Sequence, residues 1–221
     1  MENREVKDLL YEQVARISNA VASPRRLELI ELLCQCEKSV DSLAGDAELS
    51  VKLTSAHLKV LKAARLVDSR KDGKRVYYRL AGPLVADFWV NLRVLAEERL
   101  LDLQGALRQF VTGPEMLAPA DRKALMVKAR KCEVIVIDVR PNAEYRAGHL
   151  PYARSLPLSE LRKRITGLTK DKEIIAYCRG PFCMMAKDAV TLLRRRGYKA
   201  ARLDVGVSEW RAAGLPVEAQ T

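Results

Sequence analysis

Two cysteines in the segment YCRGPFC, Cys178 and Cys183, stand between an apolar run, 174–177, and a helical pattern that starts near Met184. A thiolate seated at a helix N-terminus is stabilised by free N–H groups and by the helix dipole, which lowers its pKa and makes it a nucleophile. The backbone N–H groups of Arg179, Gly180, Phe182 and Cys183 are placed to form an anion-binding nest. Gly180 admits unusual dihedrals and Arg179 adds positive charge. This set suits attack by the Cys178 sulfur on a small anionic sulfur donor, leaving a persulfide. Cys183 has three readings: a resolving thiol, a second sulfur acceptor, or a loop filler.

A second pair is Cys34-Gln35-Cys36. Two thiols two apart, with a third group, could bind a soft ion or act as sensor thiols. Read as structure only, Cys34 is a small buried hydrophobe and Cys36 a surface residue. With Cys132 the cysteines number five, an odd count, and the N-terminal MENREVKDLLYEQ is not a secretory signal. A secreted disulfide scaffold is therefore not expected, and the expected compartment is the cytoplasm. There is no run of about 18 apolar residues, so no membrane partner is expected. No cofactor and no bound metal are expected either.

A different chemistry lies in the charge. The net charge is +11, and residues 52–79 hold nine basic side chains against Asp68 and Asp72. Within SVKLTSAHLKVLK, residues 50–62, the side chains of Ser50, Lys52, Thr54, Ser55, His57 and Lys59 share a helix anchored by Leu53, Leu58 and Leu61. Short polar and basic groups at the start of a helix can reach base edges, while nearby cations neutralise phosphates. The following RKDGKRVYYR can lay Lys71, Lys74 and Arg75 along a DNA backbone or minor groove. The partner this implies is double-stranded DNA. His57 on its own also reads as a surface residue with no role.

The elements that must position these groups follow from periodicity. Residues 3–19 carry Val6, Leu9, Leu10, Val14 and Ile17 at helical spacing. Ser23-Pro24 opens a second helix, with Ser suited to the cap and Pro to the first turn. A short helix is expected near 41–46, and Ser50 caps the next. Extended runs 67–70 and 75–80 flank Lys71-Asp72-Gly73-Lys74, a hairpin signal. A long helix is expected from Pro83 to about Phe110, its apolar face including Leu92, Leu95, Leu100 and Leu103. Such a face on a small domain suits burial against a second copy. Thr112-Gly113-Pro114 breaks it and marks a domain boundary. Beyond lie a helix (121–129), apolar strands (134–137 and 174–177) and a helix (184–196), an alternation that implies a parallel α/β sheet.

The first part, residues 12–80, resembles the ArsR/SmtB family of bacterial repressors, with SPRRLELIELL followed by SVDSLAGDAELSVKLTSAHLKVLKAARLVDSRKDGKRVYYRL. The resemblance implies a winged helix-turn-helix, a homodimer formed by the end helices, and an operator of inverted-repeat type. The family's metal sites are absent. Ser39-Val40-Asp41 stands where a Cys-x-Cys pair would, and no histidine lies between 83 and 112.

Residues 115–218 resemble a rhodanese domain, through IDVRPNAEYRAGHLPYARSLPLSEL and the closing LDVGVSEWRAAGLPVE. Asp138, Arg140, Glu144 and His149 stand at marked positions of the first motif, and Gly206, Trp210 and Gly214 of the second. By implication Cys178 is the sulfur-accepting nucleophile of a sulfurtransferase using thiosulfate or a persulfide. Asp138 and Arg140 also read as a pair bracing a strand end, and Glu144 and His149 as loop supports. The related phosphatases place arginine after five intervening residues, where this chain has Met184, so sulfur fits better than phosphate.

The expected fold is two domains, a mainly-α winged helix-turn-helix over 1–112 followed by an α/β rhodanese domain with a parallel sheet over 115–221. The expected function is a transcriptional regulator of repressor type linked to sulfur chemistry. The competing reading is a repressor responsive to arsenite or a soft metal through Cys34 and Cys36, with the rhodanese domain serving detoxification separately. A sulfurtransferase with a decayed DNA-binding domain is a third, and the intact basic helix and hairpin argue against it.

Overall fold

The computed structural model describes residues 3–113 and 122–220. The chain divides into two compact units, one ending at Trp89 and the other beginning at Val90. Pro114, Glu115 and Asp121, which the sequence reading used as linker, domain start and helix start, lie outside the described residues.

In the first unit, helices α1 (Asn3–Val21), α2 (Pro24–Leu33), α3 (Val40–Asp46) and α4 (Val51–Ala63) surround a small core. Leu29, Ile30, Leu43, Leu58 and Leu61 are fully buried there. Leu53 does not anchor α4 as expected, because it is 44% exposed at the first turn. Ser50 caps α4 by accepting from the Leu53 N–H at 3.2 Å, and Ser39 caps α3 by accepting from that of Ser42. Ser23 holds the cap position of α2, yet its side chain makes no capping bond.

A three-stranded antiparallel sheet, order β1-β3-β2, completes this unit from β1 (Lys38–Ser39), β2 (Val67–Asp72) and β3 (Arg75–Leu80). β2 runs two residues further than the sequence suggests. Asp72 pairs with Arg75, leaving Gly73-Lys74 as the turn, with Gly73 at φ +57°. Arg70 is fastened to Glu37 at 2.6 Å and lies over the Tyr77 ring at 4.7 Å.

α5 (Pro83–Arg99) follows. The helix expected to continue to Phe110 stops at Arg99, and Leu100 adopts an extended conformation before α6 (Leu101–Ala106) and a π-helical turn at Leu107–Val111. The Gln104 amide supplies the reason, donating to the carbonyls of Glu97 and Glu98 at 2.9 and 3.2 Å, groups that the end of a helix leaves open.

The second unit is built on a four-stranded parallel sheet, order β5-β4-β6-β7. Its strands are β4 (Val134–Asp138), β5 (Arg154–Ser155), β6 (Glu173–Tyr177) and β7 (Ala200–Arg202). The central strands are covered on both faces. Ile135, Ile137, Ile174 and Ala176 join one core cluster, and Val136, Ile175 and Tyr177 the other. Helices α7 (Arg122–Arg130), α8 (Asn142–Ala147), α9 (Leu158–Arg164), α10 (Met185–Arg195) and α11 (Val207–Ala212) complete the unit. α10 buries Ala186, Ala189, Val190 and Leu193, a stripe of helical period. Among the described residues no helix is long and apolar enough to cross a membrane.

Candidate functional site

Open parallel sheets place their sites at the carboxyl ends of the strands. β4 ends at Asp138 and β6 at Tyr177, and both residues join a buried cluster. Arg140 donates from Nε to Asp138 Oδ1 at 3.0 Å, and from Nη2 to Oδ2 and to the Gly148 carbonyl at 2.6 Å each. Tyr177 Oη donates to Asp138 Oδ2 at 2.6 Å and accepts from the Leu150 N–H. Asp138 and Arg140 have no exposed surface. Burial works against the Arg140 charge, but the hydrogen bond and charge of Asp138 more than offset it, and its pKa rises. This cluster braces the strand ends. Nearby, Glu144 is buried, and His149 stacks on Tyr145 at 3.9 Å and pairs with Glu218 through the backbone.

The Cys178 loop runs from the end of β6 to the start of α10. Its carboxylate neighbours hold it in place. Arg179 makes a two-pronged ion pair with Glu144, with Nη2 to Oε1 at 2.7 Å and Nε to Oε2 at 3.1 Å, so its charge is already engaged. Glu209 accepts from the Gly206 N–H at 2.8 Å and from Arg93 at 3.2 Å, and Arg93 also pairs with Glu97. The Arg93 guanidinium lies over the Phe182 ring at 5.7 Å. A Cβ on Gly180 would meet the Glu209 carboxylate at 3.2 Å, and a Cβ on Gly206 would fall 2.1 Å from the Arg179 carbonyl oxygen. Sequence inspection missed Arg93 and Glu209, since nothing in their local patterns signals contact with a loop so distant along the chain.

Cys178 is 3% exposed, and Cys183 is partly exposed. The two thiols are close enough for each to shift the other's titration. The Cys178 sulfur also faces the Cys183 carbonyl at 3.2 Å and the Gly180 carbonyl at 4.0 Å, and the N–H groups of Ala186 and Gly180 approach it. The expected nest therefore forms only in part. The Cys183 N–H closes a turn onto the Gly180 carbonyl at 3.1 Å, and the Arg179 N–H serves Cys183. The expected low pKa at Cys178 is also reversed. Burial pushes it well above the usual thiol value, with the Cys183 thiol adding to the rise. The first proton leaves Cys183 instead, lowered to about 7 by the neighbouring Cys178 thiol, by N–H groups of Arg179 and Met185 and by the Arg179 charge.

In the first unit, Ser50, Lys52, Lys59, Lys71, Lys74 and Arg75 are exposed, and Ser55 and His57 are half-buried. Thr54 departs from the expected DNA-facing set. It is fully buried, and its hydroxyl donates to the Ser50 carbonyl at 3.0 Å. Cys34 and Cys36 are half-buried. Among the described residues, no group of three or more His, Cys, Asp or Glu side chains is arranged to hold a metal ion.

Residues 23–69 match the bacterial regulatory proteins of the arsR family, and residues 121–213 match the rhodanese-like domain. An HTH-type transcriptional regulator of Mycobacterium tuberculosis is 43% identical over 213 residues, covering 96% of this chain and 93% of the relative. A sulfurtransferase of Allochromatium vinosum is 31% identical over 88 residues, covering 39% of this chain and 80% of its own. A winged helix-turn-helix DNA-binding domain of Mycobacterium bovis, described as homodimeric, is 38% identical with a TM-score of 0.42, covering 46% of this chain and 93% of its own. With its helix-turn-helix followed by a rhodanese-like domain, and a full-length relative among such regulators, the chain belongs to the arsR family of transcriptional regulators.

Proposed function

We propose that this protein is a cytoplasmic, homodimeric repressor whose DNA affinity responds to sulfane sulfur taken up at Cys178. The observation that carries the reading is the setting of the Cys178 loop. It lies at the carboxyl end of β6, pinned by Glu144, Gly206 and Glu209, with a second cysteine whose carbonyl accepts from the first thiol. Residues 1–112 would bind DNA and dimerise, and residues 115–221 would handle sulfur. The donor is a small sulfane-sulfur compound such as thiosulfate.

Support for the DNA half comes from the exposed cations Lys52, Lys59, Lys71, Lys74 and Arg75 on α4 and the hairpin, with Ser50, Ser55 and His57 at the cap and on the body of α4. Support for the dimer comes from exposed apolar side chains on α1, where Leu10 is 61% and Val14 66% exposed. A switch requires that the sulfur-loaded and sulfur-free proteins differ in free energy of DNA binding.

The test is operator binding by fluorescence anisotropy at fixed salt, with and without thiosulfate. Thiosulfate should lower affinity in the wild type and have no effect in Cys178→Ser. Unchanged affinity while Cys178 carries sulfur would defeat the switch.

A further inference from the structure

We infer that Cys183 is the resolving thiol of a dithiol centre, discharging the sulfur carried by Cys178 as hydrosulfide and closing a Cys178–Cys183 disulfide. The inference rests on the reading of Cys178 as the persulfide-forming residue. Its first ground is that the two cysteines adjoin, with the Cys178 S–H donating to the Cys183 carbonyl at 3.2 Å across a loop of four intervening residues. Its second is that they sit in unlike surroundings. The Cys178 sulfur is buried and faces two carbonyl oxygens, at 3.2 and 4.0 Å, which disfavour a lasting anion there against the N–H groups of Ala186 and Gly180 that approach it. The Cys183 sulfur receives N–H groups from Arg179 and Met185 and lies near the Arg179 guanidinium, all of which favour a thiolate. A persulfide anion at Cys178 is therefore a poor resting state, and a disulfide sulfur is a good one.

The chemistry balances in two steps. The Cys178 thiolate, its proton passed to solvent or to Cys183, attacks the outer sulfur of thiosulfate. The S–S bond of the donor breaks, sulfite leaves, and Cys178 carries an anionic persulfide. That persulfide takes up a proton, and the Cys183 thiolate attacks the inner sulfur, Sγ of Cys178. The inner-to-outer S–S bond breaks, the outer sulfur departs as hydrosulfide, and the disulfide forms. The two thiols are oxidised by two electrons and the sulfane sulfur is reduced by two. The result is a reductive discharge of sulfur that leaves the loop itself oxidised.

The test uses the reduced full-length chain without oxygen, treated with thiosulfate and separately with inorganic polysulfide. Sulfite, hydrosulfide and the mass of each cysteine peptide are measured. Wild type should release hydrosulfide and sulfite in equal amounts from thiosulfate, and should yield a peptide cross-linked between Cys178 and Cys183. Cys183→Ser should keep one extra sulfur atom on Cys178 and lose hydrosulfide release, and Cys183→Ala should do the same, which separates lost chemistry from a serine effect. Wild type that retains the extra sulfur on Cys178, with no hydrosulfide and no cross-link, would overturn the role of Cys183 and leave Cys178 standing. No sulfur on Cys178 from either donor, in wild type and in both Cys183 variants, would overturn the reading of Cys178 and the inference with it.

Discussion

Helix α4 with its hairpin and the loop after β6 present reactive groups by opposite means. At the start of α4 and at the hairpin tip the cations are exposed, and Lys52, Lys74 and Arg75 stand in solvent. Around Cys178 each charge is spoken for, Arg179 by Glu144, Glu209 by Arg93 and Gly206, Asp138 by Arg140 and Tyr177. A surface that meets a polyanion needs loose positive charge, and removing one cation there leaves the fold intact. A buried nucleophile needs a rigid seat, and removing one partner there leaves an unpaired charge inside the protein.

The contrast is sharpest in the buried cluster. Asp138→Ala strips the partner from an Arg140 with no exposed surface. The second unit should lose about 3–5 kcal/mol, read in urea unfolding by tryptophan fluorescence. Loss of less than about 1 kcal/mol, the range of a surface pair, would break the comparison. The double variant Leu10→Glu and Val14→Glu should convert dimers to monomers in light scattering while the chain stays folded. Lys52→Ala and Arg75→Ala should each weaken operator binding and reduce its salt slope by roughly one, with no shift in unfolding midpoint. A midpoint that fell with affinity would mean these side chains hold the fold after all.

The pH dependence of Cys183 reactivity comes next in size. In the reduced, sulfur-free chain Cys183 is a thiol below about 7 and a thiolate above it, so its alkylation by iodoacetamide should rise with pH through about 7. Arg179→Gln should move that rise to higher pH, because it removes a positive charge that favours the thiolate. The smallest effect belongs to Ser50→Ala, which deletes the cap of α4 at a cost of about 1 kcal/mol.

Much of this was legible in the sequence, and the failures share a cause. The helix-turn-helix, the hairpin and the two central parallel strands follow from periods and turn residues that local sequence carries. β7 escapes notice because Ala-Ala-Arg has no apolar run, and β5 because two residues make no pattern. The end of α5 at Arg99 depends on a glutamine five residues on, folding back. The Cys178 loop was visible as a motif, but its electrostatics were not. Position at a helix N-terminus argues for a low pKa at Cys178, and burial and the neighbouring thiol reverse it. Thr54 likewise looks like a polar contact residue until the turn that begins at Ser50 takes up its hydroxyl.

The contact between Gly206 and the Arg179 carbonyl has a consequence for how this chain can change over generations. With the loop touched by Gly206 on one side and tied through Arg179 to Glu144 on the other, its length is fixed as well as its shape. One inserted or deleted residue between Tyr177 and Met185 would pull at least one of those contacts out of register. The hairpin tip at Gly73-Lys74 is exposed and carries no such tie, so added residues there cost little. Variation among descendants of this sequence should therefore appear as insertions at the wing and as substitutions only at the sulfur loop.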